Sequence, residues 1–172
     1  MTYDNNPEFI ALVQRLQSVA PFHIEQIDAS GTPQPWITVS ATTIVPELLI
    51  NPHTLRMQVD ALAAQVATWG RLVAQCKRVW EVHERRYRHW RSGVELKCLK
   101  EGVPGIDKTT QASIEAYYRQ LPEYGAFQTQ IERAEEAYNA ASAILDAFKE
   151  KGQQLRRDVR IGSDGSITRF TP

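Results

Sequence analysis

The sequence predicts a mainly α-helical chain: a long antiparallel helical hairpin, coiled-coil-like, with a short connecting helix and a small N-terminal β-hairpin. Three observations predict it. Apolar or aromatic residues recur at alternating spacings of four and three at Leu55, Val59, Leu62, Val66, Trp69, Val73, Cys76, Trp80, His83, Tyr87, Trp90 and Val94. That is a 3.5-residue period, the pattern of a coiled-coil seam. The same alternation returns at Phe127, Ile131, Ala134, Tyr138, Ala141, Leu145, Phe148, Gly152, Leu155 and Val159. Two matched seams joined by a connection of about 20 residues make an antiparallel hairpin. Third, two short alternating runs, HIEQI and WITVS, flank the turn-rich stretch DASGTPQP, the signature of a β-hairpin.

Taken in order, Asp4 or Asn5 followed by Pro7 opens a short helix. Phe9, Leu12, Val13 and Leu16 share one face, and the helix ends near Pro21. The strands are His23–Ile27 and Trp36–Ser40, joined by Asp28–Pro35. A lone hairpin is unstable unless it packs on something; Ile24, Trp36 and Val39 are expected to supply that contact. Ser40 or Thr42 caps a helical turn through Ile44, Leu48 and Leu49, in which Pro46 is tolerable only in the first turn. Asn51 as N-cap with Pro52 behind it starts the first long helix, His53 to Lys100. At 1.5 Å per residue it makes a rod of roughly 70 Å, and Gly102 and Pro104 end it. Gly102–Asp107 is a loop, and Lys108–Gln120 a short helix capped at Thr109 or Thr110 and broken at Leu121-Pro122. The second long helix runs from about Glu123 to Arg160, and Ile161–Pro172 is a small strand or a tail. The chain therefore divides into 1–50 (N-terminal helix, hairpin and linker), 51–160 (long hairpin) and 161–172. Val82, Leu99, Ala137, Ile144 and Ala147 widen the apolar stripes beyond a two-position seam. The long helices are on that account expected to meet copies of themselves in a homo-oligomer.

Twenty basic and twenty acidic side chains cancel, so total charge favours no partner, but the charge is segregated. Residues 1–60 hold six acids (Asp4, Glu8, Glu25, Asp28, Glu47, Asp60) against two bases (Arg15, Arg56), a net of −4. Lys77–Arg91 holds Lys77, Arg78, Arg85, Arg86, Arg88 and Arg91 against Glu81 and Glu84, a net of +4. Separated charge of this kind suggests one face for an anion and another for something else. Cys76 and Cys98 lie on one helix, roughly 33 Å apart along its axis, and cannot pair within the chain. With no apolar run of membrane-spanning length and no secretory signal, a soluble, cytoplasmic chain with reduced cysteines is expected.

Little in the sequence suggests catalysis. His83 and Tyr87 share the seam, where a packed histidine is commoner than a ligand, and His89 sits among arginines. Glu132, Glu135 and Glu136 lack the Glu-x-x-His partners of a di-metal site. No phosphate loop, nucleophile elbow, CxxC or EF-hand is present, and Gly102–Gly105 follows a helix rather than opening one after a strand. Neither an enzyme nor a bound cofactor or metal is expected.

The basic stretch is the candidate site. With Trp69 at heptad position d, Arg71, Arg78 and Arg85 all fall at f, facing away from the seam. Trp80, Tyr87 and Trp90 are interleaved with this charge. Single-stranded nucleic acid needs cations for its phosphates and π-faces for its unstacked bases. The plainer alternative is an f stripe charged for solubility, with aromatics that belong to the seam. On it the chain is a structural or adaptor protein that self-assembles as a scaffold.

Arg85–Gly93 (RRYRHWRSG), followed by a loop, a short helix and a long C-terminal helix, resembles the phage recombination mediators of the UvsY type. There a basic helix ends in an aromatic-x-Ser-Gly stretch, here Trp90-Arg91-Ser92-Gly93. The layout matches over about Trp36–Arg160. The resemblance implies a ring-like homo-oligomer, without membrane association, that binds single-stranded DNA. It also implies loading of a RecA-like recombinase onto strands coated with single-strand-binding protein. The family's DNA contacts include a Lys and an Arg two residues apart; Arg86 and Arg88 meet that spacing here, with Arg85 the nearest alternative and Arg standing for Lys. The expected DNA contacts are Arg78, Arg85, Arg86, Arg88 and Arg91 to phosphates, and Tyr87 or Trp90 to bases wherever a ring is free of the seam. Residues 1–40 are additional to the family's core, and their acidic character suits a recombinase contact.

Overall fold

In the computed structural model, which describes residues 7–17 and 19–163, the chain is mainly helical. Two long helices pack antiparallel, a short one lies between them, and a two-stranded antiparallel hairpin stands near the N-terminus. Helix α1 (Pro7–Gln17) begins on its proline, whose missing N–H is no loss in a first turn. Phe9, Val13 and Leu16 are buried on one face. Leu12, expected beside them, lies outside the residues whose side chains are described.

Strands β1 (Phe22–Ile27) and β2 (Pro33–Val39) pair in a register that slips between Ile24 and Glu25. Ile24 faces Ile37 and Glu25 faces Pro35, which leaves Trp36 unopposed in a bulge. The expectation that Trp36 packs inward is corrected: it is 51% exposed. Side chains alternate along a strand, so Trp36 and Val39, three apart, cannot both face the core. Val39 is buried and Ile37 half-buried instead.

Helix α2 (Ala41–Leu48) starts after Ser40, whose hydroxyl bonds Thr42 Oγ1 at 2.7 Å rather than capping the backbone. Pro46 sits inside the helix and not in its first turn, a second correction. The helix ends two residues later, so only a short length carries the lost bond, and Ile44 and Leu48 anchor it. Leu49 leaves the helix and is 55% exposed, against the expectation that it shares the buried face.

Asn51 caps as expected, its side chain accepting from His53 N at 2.9 Å. A 3₁₀ turn, Pro52–Thr54, leads into α3 (Leu55–Glu101), 47 residues long. Gly102 ends it at φ 82°, in the region that favours glycine, its N–H donating to Cys98 O. Helix α4 (Gln111–Gln120) starts three residues after the expected Lys108, because the reciprocal bonds of Thr110 and Ser113 fix the cap there. Helix α5 (Pro122–Ser163) follows at once. Residues 161–163, expected as strand or tail, continue α5; residues 164–172 and the side chain of Val159 lie outside the described part.

The seams meet in a register set by large rings. Trp69 stacks on Phe148 with centroids 6.3 Å apart, Trp80 on Tyr138 at 5.8 Å, and Trp90 packs on Phe127 at 5.3 Å. At the open end Gly152 lets α3 approach, since a Cβ there would lie 2.7 Å from Leu62 Cδ2. Two cores result. One joins Phe9, Val13, Leu16, Ile24, Val39, Ile44 and Leu48 to Trp69, Leu72, Cys76, Ala137, Ile144, Ala147 and Phe148 of the long helices. The other closes the far end around Cys98, Val103, Ile114 and Tyr118. Ala137, Ile144 and Ala147, three of the residues that widen the stripe, are thus covered by the chain's own N-terminal elements. Leu99 remains 66% exposed.

Candidate functional site

The basic stretch lies on a continuous helical segment of α3, so its charges have fixed spacing. Arg71, Arg78 and Arg85 are all exposed, as their shared heptad position requires. Among the described residues, Lys77, Arg78 and Arg85 have no hydrogen bond or ion pair. The other arginines are engaged. Arg88 donates to Glu84 at 2.7 Å while staying largely exposed. Arg91 Nε donates to Glu95 at 2.7 Å, and its guanidinium lies 5.5 Å above the Tyr118 ring. The hydrogen bond from Arg91 to Glu95, with the Tyr118 phenol nearby, holds its pKa above the usual value. Arg86 is half-buried and reaches the hairpin turn, donating to Gly31 O at 3.3 Å and Thr32 Oγ1 at 3.2 Å. Two residues apart on a helix means roughly 200° around its axis. Arg86 and Arg88 therefore leave α3 on opposite flanks, with Arg85 between them.

Tyr87 and Trp90 are half-buried seam residues. Tyr87 packs on Trp90, Tyr124 and Phe127 at 6.0 to 6.2 Å, and Trp90 adds Tyr118 at 6.3 Å. Burial, then the neighbouring Tyr118 and Tyr124, raise the Tyr87 phenol pKa. Neither ring stands free of the seam.

The hairpin is tied to α3 beside the charge row. Glu25 accepts from His83 Nε2 at 3.3 Å through its carboxylate and from Gln75 Nε2 at 3.1 Å through its carbonyl. His83 is buried, and its Nδ1 has no partner among the described residues. Below this tie, a cavity of about 490 Å³ opens between β1, α3 and α5, lined in part by His23, Glu25, Cys76, Arg133 and Glu136. Burial pushes the Cys76 thiol up to about 11, so it is protonated at neutral pH. Beyond the tie, the hairpin turn and α3 enclose a groove of about 350 Å³ lined by Ile27, Ser30, Gly31, Arg78, Glu81, Val82, Arg85 and Arg86.

A third attachment was not legible in the sequence. Lys151 on α5 is buried, and its Nζ donates to Glu47 O at 2.6 Å and Leu49 O at 3.4 Å, gripping the end of α2. Burial lowers its pKa. Among the described residues no cluster of three or more His, Cys, Asp or Glu could hold a metal, and no helix is long and apolar enough to cross a membrane.

The chain matches no family model, no curated protein sequence and no solved structure.

Proposed function

We propose that this chain is a non-enzymatic recombination mediator of the cytoplasm, a homo-oligomer that binds single-stranded DNA and promotes loading of a RecA-like recombinase. One observation carries the DNA-binding part: Arg78 and Arg85, with Lys77 beside them, project from a rigid helix with no acidic partner among the described residues. Their guanidinium and ammonium groups suit phosphate oxygens, and Arg88 extends the row. Arg86 is engaged with the hairpin turn and Arg91 with Glu95. Tyr87 and Trp90 stiffen the helix from its seam side; the exposed indole nearest in kind to a base-stacking platform is Trp36. The recombinase and the single-strand-binding protein as partners rest on the resemblance of Arg85–Gly93 and the helical layout to the phage mediators.

The test is fluorescence anisotropy of a labelled single-stranded oligonucleotide at several salt concentrations. The slope of log affinity against log salt is expected near −0.7 for each phosphate neutralised. Reversal of Arg78, Arg85 and Arg88 to Glu is expected to abolish binding with the fold intact. Arg86 is left out because it fastens the hairpin.

The scaffold reading keeps one observation in its favour. Leu96, Leu99 and Ile106 are 58%, 66% and 44% exposed at the closed end of the long hairpin, and exposed apolar residues gathered in one region mark interaction surfaces. Absence of binding at ~50 mM salt, where electrostatic contacts are strongest, removes the DNA reading and leaves the scaffold.

A further inference from the structure

We infer that the groove between the hairpin turn and α3 seats one phosphodiester of the bound strand, so that the β-hairpin is part of the nucleic-acid surface. This seat rests on the DNA-binding reading above and adds to it a role for residues 27–32.

Three guanidinium groups line the groove, Arg78, Arg85 and Arg86, against the single carboxylate of Glu81. Arg86 is oriented by its bonds from one terminal nitrogen to Gly31 O and Thr32 Oγ1. A guanidinium carries five N–H donors in a fixed fork, so the rest of that fork remains for a ligand. The turn's own carboxylate, Asp28, keeps its charge but is not among the residues that line the groove. Asp28 Oδ1 accepts from Ser30 N at 2.9 Å, Ser30 Oγ at 2.6 Å and Thr32 N at 2.8 Å, so this carboxylate is bound back onto the turn. Gly31, at φ 80°, gives the turn its shape and leaves no side chain on this wall. Ile27 and Val82 add apolar surface on which a sugar can rest. An oxyanion with a sugar attached fits such a lining better than a bare ion or an apolar ligand does. A strand seated there crosses α3 at the hairpin rather than only following the f stripe.

Ser30 tests the seat, being exposed, on the groove wall and outside the arginine set. Single-stranded DNA binding is measured for the full chain and for Ser30→Ala, Ser30→Lys and Ser30→Glu, each checked for its melting temperature. Ser30→Ala removes the hydroxyl that bonds Asp28 and Thr32, as the other two variants also do, and so serves as their reference. Relative to it, Ser30→Lys is expected to bind several-fold tighter and Ser30→Glu about tenfold weaker, as one charge at a phosphate's distance dictates. With an uncharged methylphosphonate strand the Lys–Glu difference is expected to vanish. If the parent binds and all three variants match it, the seat is wrong and the DNA reading stands. Equal weakening in all three, Ala included, marks a turn defect and also overturns the seat. If the parent does not bind at all, the DNA reading itself fails.

Discussion

Gly93 closes the Trp90–Gly93 stretch, yet within the chain it stands mid-helix, exposed, with nothing within 4 Å of a Cβ placed there. Glycine in a helix interior costs roughly 0.5–1 kcal/mol relative to alanine. Gly93→Ala is therefore expected to raise stability by about that amount in urea unfolding. A simultaneous loss of assembly or of DNA affinity would locate a close approach at this position. Cys76 gives a pH-dependent expectation. Its folded-state pKa, about 11, lies above the 9.0 of an ordinary thiol, so the folded chain holds the proton more tightly. Stability from this group is complete below pH 9 and is lost as pH rises toward 11, by about 2–3 kcal/mol in all. Cys76→Ala is expected to remove that part of the alkaline fall, measured as unfolding free energy against pH. At this scale the sequence disclosed identities and faces but few partnerships. The exposure of Arg78 and Arg85 follows from their heptad position. The bonds of Arg86 to Gly31, Glu25 to His83 and Lys151 to Glu47 join residues 55, 58 and 104 positions apart, and no local pattern encodes them.

The long elements were the most legible, because a 3.5-residue period over tens of residues has no competing explanation. Ala134 and Ala141, read as seam positions, are both buried in the finished hairpin. Register could not be read, since each seam is self-similar from turn to turn; stacked pairs such as Trp80 on Tyr138 choose among the alternatives. Phe148, fully buried against Trp69, is the strongest such choice, and Phe148→Ala is expected to cost about 3–5 kcal/mol of stability by thermal or urea unfolding. Ala141→Leu, at another fully buried seam position, is expected to cost about 1–3 kcal/mol by overpacking. The short N-terminal elements were read less well. Strand alternation with the buried Val39 turned Trp36 outward, and tertiary anchoring by Ile44 and Leu48 outweighed the helix-breaking character of Pro46.

For the whole molecule, the sequence supplied the antiparallel hairpin but not the way residues 7–50 pack on its open half. Both stripes looked too wide for a two-helix contact, which suggested copies of the chain. The α5 part of that surplus is occupied by α1, α2 and the β-hairpin. Among the described residues of α3, Leu96 and Leu99 stay open toward the closed end, and Met57 and Val59 toward the other; Val59, expected in the seam, is 38% exposed because the pairing with α5 does not cover it. If the chain self-associates there, Leu96→Ser with Leu99→Ser is expected to lower the oligomer's mass in sedimentation velocity while leaving helical content unchanged.

Lys151 has a consequence for the order of events during synthesis. The N-terminal segment leaves the ribosome first, but its apolar faces close on Ala137, Ile144 and Ala147, and the end of α2 on Lys151. Contacts so distant in the chain form late. Until α5, which begins at Pro122, has been added, Phe9, Ile24 and Leu48 have no α5 surface to cover them. The nascent chain therefore exposes these apolar faces for much of its translation, and a chaperone that holds short apolar segments would find its target in residues 7–50.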